Sequence, residues 1–237
     1  MGRTITTLAL DTSSQSMSVA LLRGDEVAVE ASPDNAGHHA ETIISMVDKV
    51  LKSSLSTLRE VDLFAVTTGP GAFTGLRVGI STVKGFAYAL DKPVVGVSAL
   101  DALAHNTADA PTPSQVCPMI DAKHSLVYTA LYRSCQGGVM GRITGETAIM
   151  PAEFLATLSG EVVFIGDGAR IFESLIRGAL SGRARFAPVD CDRIKAGTVG
   201  LIGLKKFYVG DIVDAMAMTP RYIRPSYAKP GRRSLQG

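Results

Sequence analysis

The sequence contains no tryptophan, four histidines and three cysteines in 237 residues. Cys117, Cys135 and Cys191 form no C-x-x-C pair and no zinc-like spacing, and three thiols cannot all pair. A reduced, intracellular protein is expected. There is no H-x-x-x-H and no H-E-x-x-H. His38 and His39 are neighbours and point about 100° apart on a helix, so they do not converge on one ion, while His105 and His124 stand alone. No G-x-S-x-G elbow or Cys–His motif supports a peptidase. No apolar run approaches the ~18 residues a membrane helix needs. The apolar run ending at Asp11 is too short for a secretory signal with its cleavage site. A soluble, cytoplasmic chain with no membrane partner is therefore expected.

Large charge is missing too. Charged residues make up 19% and hydrophobic ones 46%, with a formal net charge of +2. That composition excludes dominant disorder and gives the body no basic footprint for nucleic acid. The charge is uneven, however. Arg221, Arg224, Lys229, Arg232 and Arg233 fall in the last 17 residues, which hold no acid. The tail thus carries +5, leaving 19 basic against 22 acidic residues, or −3, elsewhere.

What is present reads as α/β. Ile5–Leu10, Met17–Leu22 and Glu26–Ala31 are short strand-like runs separated by turns, an opening meander. Helix spacing of Ile43, Ile44, Val47, Val50 and Leu51 predicts a helix over Ala36–Lys52. A buried strand, Val61–Thr68, leads through a glycine loop to a helix over Leu76–Leu90. A strand over Val94–Val97 follows, then a helix from Ala99 to His105 that Ser98 can cap. Residues 108–114, with two prolines and no periodicity, make the best linker. The plan then recurs. Pro118-Met-Ile-Asp121 mirrors Leu8-Ala-Leu-Asp11, and an Ala-Leu pair lies nine and ten residues after each Asp: Ala20-Leu21 and Ala130-Leu131. The strand Val162–Ile165, Gly166-Asp-Gly168 and a helix over Ala169–Leu180 parallel the earlier strand, glycine loop and helix. Ala196–Tyr208 is a last helix. The domain expectation is a lobe over 1–107, a smaller lobe over 115–219, and a basic, partly disordered tail over 220–237.

Three motifs carry chemistry. Asp11-Thr12-Ser13 is an acid at a strand end followed by hydroxyls, suited to a hydrated Mg²⁺ and phosphate or to an Asx turn. Gly69-Pro-Gly71-Ala-Phe-Thr74-Gly75 joins a strand to a helix N-terminus, which favours an anion. It lacks the G-K-[ST] of a P-loop and has the wrong spacing for a dinucleotide fingerprint, so phosphate cradle and structural elbow both remain open. The helix beyond it carries Gly79, Ser81, Thr82, Gly85, Ala87 and Ala89. Glycine inside a helix costs about 1 kcal/mol relative to alanine, so another backbone must come close, from a partner or from the interior.

These stretches together resemble the TsaB (YeaZ) family. The residues that carry the resemblance are Leu8-Ala-Leu-Asp11-Thr12-Ser13 with Ser18-Val-Ala-Leu, and Thr68-Gly-Pro-Gly71-Ala-Phe-Thr-Gly75-Leu-Arg77-Val-Gly79. Gly96-Val-Ser-Ala-Leu, Asp121-Ala122 with Val127-Tyr128, Gly166-Asp-Gly168 and Pro220-Arg-Tyr-Ile-Arg224 complete the set. The resemblance implies a two-lobed, actin-like ATPase fold (ASKHA, ribonuclease H-like). Each lobe would hold a mixed sheet with an antiparallel meander plus helices. It implies a place in forming N6-threonylcarbamoyladenosine next to the anticodon of tRNAs that read codons beginning with A. There TsaC supplies threonylcarbamoyl-AMP and TsaD transfers the group, with TsaB and the ATPase TsaE required.

By that resemblance the chain is a non-catalytic scaffold and dimerisation partner of TsaD. It would form a homodimer when alone, meet TsaE and tRNA only through the complex, and need no cofactor of its own, with ATP or ADP at the complex interface. TsaD-type enzymes hold a metal with a spaced histidine pair and a late Asp, and only His38-His39 stands on the matching helix here. The implied assignments are a vestigial nucleotide loop of Asp11, Thr12, Ser13, Gly69, Gly71, Thr74 and Gly75, and a partner face of His39, Ile43, Val47, Arg77, Val78, Gly79, Thr82 and Phe86. Catalytic and metal residues are expected to be absent. The competing expectation is an active ATP-dependent phosphotransferase of the same superfamily, with Asp11 and the glycine loop on phosphate.

Overall fold

A computed structural model of the chain describes residues 3–14, 16–33, 39–107, 115–135 and 139–223. The expected linker 108–114, the helix start at 36–38 with His38, and the tail beyond 223 lie outside the described residues. Among the described residues, no helix is long and apolar enough to cross a membrane.

The first sheet is built from β1 (Thr6–Asp11), β2 (Ser18–Arg23) and β3 (Glu26–Ala31), joined after α1 (His39–Ser53) by β4 (Leu63–Gly69) and after α2 (Phe73–Leu90) by β5 (Val94–Ser98). The strand order is β3-β2-β1-β4-β5, with β1 antiparallel to β2 and parallel to β4. Alternation sets its two faces. Leu8, Leu10, Val19 and Leu21 pack against Ile43, Val47 and Val50 of α1 and against Ile80 and Val83 of α2. Ala9, Ala20, Leu22 and Ala65 face the other way. The meander and all three helical readings around the loop are observed, and Ser98 caps α3 (Ala99–His105) by accepting from the amides of Leu100 and Asp101 at 3.2 and 3.3 Å. Helix α2 begins earlier than its apolar pattern, taking Phe73, Thr74 and Gly75 out of the loop and into its first turn.

The second sheet repeats the plan with β6 (Val116–Asp121), β7 (Val127–Thr129), β8 (Tyr132–Cys135), β9 (Val139–Arg142) and β10 (Thr147–Ile149). After α4 (Pro151–Leu155) come β11 (Val162–Ile165), α5 (Asp167–Ile171), α6 (Glu173–Leu180) and β12 (Ala184–Phe186). Seven strands form it, with β6 parallel to β11 and antiparallel to β7. Two details differ from the sequence expectation. Asp11 pairs with Ser18 but Asp121 pairs with Val127, so the second hairpin is one residue shorter. Ala20-Leu21 lies within β2, whereas Ala130-Leu131 falls in the break between β7 and β8. The helix expected over Ala169–Leu180 is broken at Phe172 (φ −103°, ψ 18°) into α5 and α6.

The larger correction concerns the lobe boundary. The last helix, α7 (Ala196–Tyr208), does not stay with residues 115–186; it lies across β1, β2, β4 and β5 of the first sheet. Its Gly197, Gly200 and Gly203 press on Val27, Leu22 and Ala65, and a Cβ at Gly203 would sit 2.7 Å from Ala65 Cβ. Its first amides are satisfied by the meander, Ala196 N donating to Ser18 Oγ (2.9 Å) and Gly197 N to Glu30 Oε1 (3.2 Å). From residue 196 to residue 223 the chain therefore belongs with the first lobe.

Candidate functional site

Asp11, Thr12 and Ser13 are fully buried. Asp11 Oδ1 accepts from Ser13 Oγ (2.6 Å), Thr67 Oγ1 (2.7 Å) and Ser13 N (3.1 Å), while Asp11 Oδ2 has no partner. Burial pushes the carboxyl up from 3.8 to about 6, against those three hydrogen bonds, which pull it down. Ser13 O is spent as well, because it accepts from Ala72 N at 2.7 Å. Asp11 and the Ser13 and Thr67 hydroxyls thus bond to one another and Ser13 O ties the turn to the loop, while Thr12 Oγ1 has no partner.

The glycines of the loop serve the same contact. A Cβ on Gly71 would overlap Ser13 O, one on Gly75 would overlap Thr12 O, and one on Gly79 would overlap Thr12 Oγ1. Here the close approach anticipated from sequence is real, and the approaching backbone is the chain's own Asp-Thr-Ser turn. Of the open alternatives, the structural elbow accounts for these glycines. Gly69 adopts φ 121°, outside the range side chains favour. Arg221 O packs against it, 2.7 Å from where a Cβ would be. Thr74 remains exposed.

The room between the lobes lies elsewhere. A cavity of about 610 Å³ is walled by Ser14 and Ser16 on the first-lobe side and by Asp121, Lys123, Asp167 and Arg170 on the second, with no residue of the Gly69–Gly75 loop in its wall. Its charges are largely matched: Lys123 pairs with Asp121 and Arg170 with Asp192, each at 2.6 Å. Asp167 Oδ1 accepts from Asp121 N (3.0 Å) and Gly168 N (2.7 Å), and burial raises its carboxyl above the usual range. The fold frame implies ATP-Mg²⁺, and these residues do not fit it. The acid is sealed from solvent, the loop is filled by a turn, and the cavity is separate from both. Among the described residues, no three His, Cys, Asp or Glu side chains are grouped to hold a metal.

The expected partner face divides. Ile43 and Val47 are core residues of α1, and Gly79 faces Thr12, so these three are turned inward. Burial against the first sheet is the physical reason, and it corrects their assignment to an outer face. Val78, Thr82 and Phe86 are half-buried, Phe86 lying 5.9 Å from Phe64. Arg77 is exposed, its guanidinium 3.9 Å over the Phe73 ring and its Nε donating to Tyr222 Oη at 3.1 Å. His39 opens α1, and its side chain lies outside the described residues. The outward surface of α2 is instead Arg77, Ser81, Gly85, Tyr88 and Ala89, with open space above Gly85. Sequence reasoning missed Thr67, Glu30, Glu146 and the role of Arg221. Only the triplet spacing of glycines in α7 could have signalled that helix's close docking.

Comparison with known proteins bears on this arrangement. The family model described as "TsaD: tRNA N6-adenosine threonylcarbamoyltransferase" matches residues 32–203. The Escherichia coli tRNA threonylcarbamoyladenosine biosynthesis protein TsaB is 32% identical over 71% of this chain and 74% of its own. The Bacillus subtilis TsaB is 26% identical over 95% of this chain and 96% of its own. A structure of YeaZ from Pseudomonas aeruginosa superposes with a TM-score of 0.76 at 30% identity, covering 92% of this chain and 99% of that one. At 12% identity and a TM-score of 0.51, component A of (R)-2-hydroxyglutaryl-CoA dehydratase from Acidaminococcus fermentans shares the fold, over 85% of this chain and 98% of its own.

Proposed function

The chain belongs to the TsaB family, and on that premise we propose that it takes part in forming N6-threonylcarbamoyladenosine in tRNA as the non-catalytic partner of a TsaD-type transferase. The names of its relatives and the TsaD-type family model support the pathway. One observation carries the non-catalytic reading: the loop that would cradle phosphate is packed full by the chain's own Asp11-Thr12-Ser13 turn. The chain then needs no nucleotide of its own, and ATP or ADP would sit where it meets the transferase. It works in the cytoplasm, meets the ATPase TsaE and the tRNA through the complex, and pairs with itself when TsaD is absent.

The docking face in this reading is the outer stripe of α2, where Ser81, Gly85 and Ala89 leave a shallow, low-bulk surface beside Tyr88. The test uses the chain with TsaD, TsaE, TsaC, tRNA, threonine, bicarbonate and ATP. Modified adenosine should form only when the chain is present. Gly85→Trp should abolish co-elution with TsaD in gel filtration while leaving the circular dichroism spectrum intact. Asp11→Asn should leave modification unchanged. Transfer by TsaD at full rate without the chain would sink the proposal. So would ATP turnover by the isolated chain that vanishes in Asp11→Asn, which is the outcome an active phosphotransferase requires.

A further inference from the structure

Beyond α7 the chain runs back over the first lobe as a strap, and its end reaches the second lobe. Val213 bridges to Val94 at the edge of β5, with Val213 N donating to Val94 O at 3.0 Å. Lys84 Nζ of α2 donates to Met216 O at 2.9 Å. Met218 is buried in the first-lobe core. Arg221 N donates to Thr68 O at 2.7 Å, and Tyr222 stacks on Phe73 with ring centroids 5.1 Å apart.

The side chain of Arg221 then crosses to Glu146, in the stretch between β9 and β10 of the second sheet, with Nη1 3.1 Å from Oε2, an ion pair that does not have hydrogen-bond geometry. The Glu146 side chain is fully buried. Its other oxygen accepts from Ser98 Oγ at 2.6 Å, and Arg142 lies 3.0 Å away. Ser98 sits at the end of β5, where the first lobe gives way to α3, and it also caps that helix. Asp101 of α3 is in turn held by Arg142 (2.6 Å) and by the Tyr132 hydroxyl (2.8 Å). One buried carboxylate thus collects groups from the first lobe, the second lobe and the strap. A buried carboxylate that loses one of its cations is left partly uncompensated, so such a contact resists opening far more than an exposed ion pair does.

The geometry points to a latch: residues 209–223 lock the angle between the lobes through Arg221 and Glu146, making the chain a rigid body rather than a hinge. The tie between the lobes, Arg221 to Glu146, lies within this chain and away from α2, although α2 helps to hold the strap through Lys84, Phe73 and Arg77. It also gives the 15 residues from 209 to 223 a reason to run back over the first lobe after α7 has docked there. The two sheets also share one buried core through α3 and α7, in which Ala65 and Val97 join Val116, Ile120 and Tyr132, and a strap pinned at both ends adds an electrostatic tie to that apolar joint.

Spin labels on the two lobes test this directly in the full chain. Cys135 is exposed on the second lobe. Cys117 is buried with its thiol pushed up to about 12, so it stays unreactive. Replacing Cys191 with Ser and adding Ser53→Cys at the end of α1 gives one pair across the lobes. Double electron–electron resonance should return one narrow distance for this parent. Arg221→Ala removes a half-exposed side chain and leaves no hole, so it should fold. It should broaden the distribution or add a second distance, and speed amide exchange at Leu100 and Asp101 about tenfold, with amides of β1 and β2 unchanged. Glu146→Gln keeps an acceptor for Ser98 and should do the same, and the double variant should be no worse than either single one. A parent that is already broad overturns the latch. So does an Arg221→Ala distribution and exchange pattern that match the parent.

Discussion

Asp11→Asn separates a sealed structural acid from a working one, because burial of the carboxyl sets the sign of the effect and its order of magnitude. Asp11 is fully buried, all three of its hydrogen bonds fall on Oδ1, and Oδ2 has no partner. Desolvation lifts its folded pKa from 3.8 to about 6. A raised pKa means that the folded state favours the protonated form. The stabilisation from that proton is complete below the unfolded value of 3.8 and is lost as pH rises through about 6. At 1.36 kcal/mol per decade the difference is about 3 kcal/mol in the charged state. Asparagine has no charge to desolvate and keeps an oxygen for Ser13 and Thr67. Asp11→Asn should therefore match the parent at pH 4 and exceed it by up to about 3 kcal/mol at pH 8. In a chain of this length that gain is roughly 6–12 °C in Tm. Urea and thermal unfolding at pH 4, 6 and 8 provide the measurement. A variant that is less stable than the parent at pH 8, or a difference that does not change with pH, refutes the reasoning and places a compensating cation against Oδ2.

Two glycines of one helix should respond in opposite directions to the same change. Gly85→Ala, with open space around it, should stabilise by about 1 kcal/mol through helix propensity, whereas Gly79→Ala should destabilise by about 1–3 kcal/mol because its methyl group overlaps Thr12 Oγ1. Equal gains at both sites, read by urea unfolding, would remove the turn-on-helix packing. Deleting Pro225–Gly237 takes three of the five basic residues of the tail, Lys229, Arg232 and Arg233. If these residues touch tRNA phosphates in the assembled complex, the slope of log K against log salt should flatten by about 2–3. An unchanged slope would make the tail inert toward tRNA.

Local patterns carried much of the fold. The short apolar runs Ile5–Leu10 and Met17–Leu22, the 3.6 period through Ile43–Leu51, and Ser98 before Ala99 each specify an element through neighbouring residues, and each element is observed. Contacts between distant residues were not legible. Nothing near Gly197, Gly200 and Gly203 says that they meet Val27, Leu22 and Ala65 rather than the adjacent second sheet, because the small surface they match is spread over three strands. Glu146 and Arg221 are 75 positions apart, and each alone reads as a surface charge. The loop was half legible. Its glycines announced a close approach, but they could not say whether the visitor was a phosphate, a partner or the turn after Asp11.

The geometry of α2 resolves that ambiguity in a way that bears on function. Residues four apart on a helix fall nearly in line, so Gly75 and Gly79 form one small stripe, continued by Gly71 just before the helix, while Ser81, Gly85 and Ala89 form another. Six residues separate Gly79 from Gly85, and at 100° each the two lie about 120° apart around the axis. The first stripe is consumed by Thr12 and Ser13, and this contact closes the phosphate loop. The second has nothing above Gly85 and lies beside the exposed Tyr88. If this loop were to hold a phosphate, the first stripe would have to be open. A scaffold needs only the second open, and it gains rigidity from closing the first. On the proposed scaffold reading the same economy extends to the strap, since a chain with no nucleotide to bind between its lobes would have no use for a hinge and could fasten it with Arg221 and Glu146. On that proposed reading the closed loop, the outward stripe and the latch would be one adaptation, in which freedom that an enzyme would need to turn over is exchanged for a fixed surface.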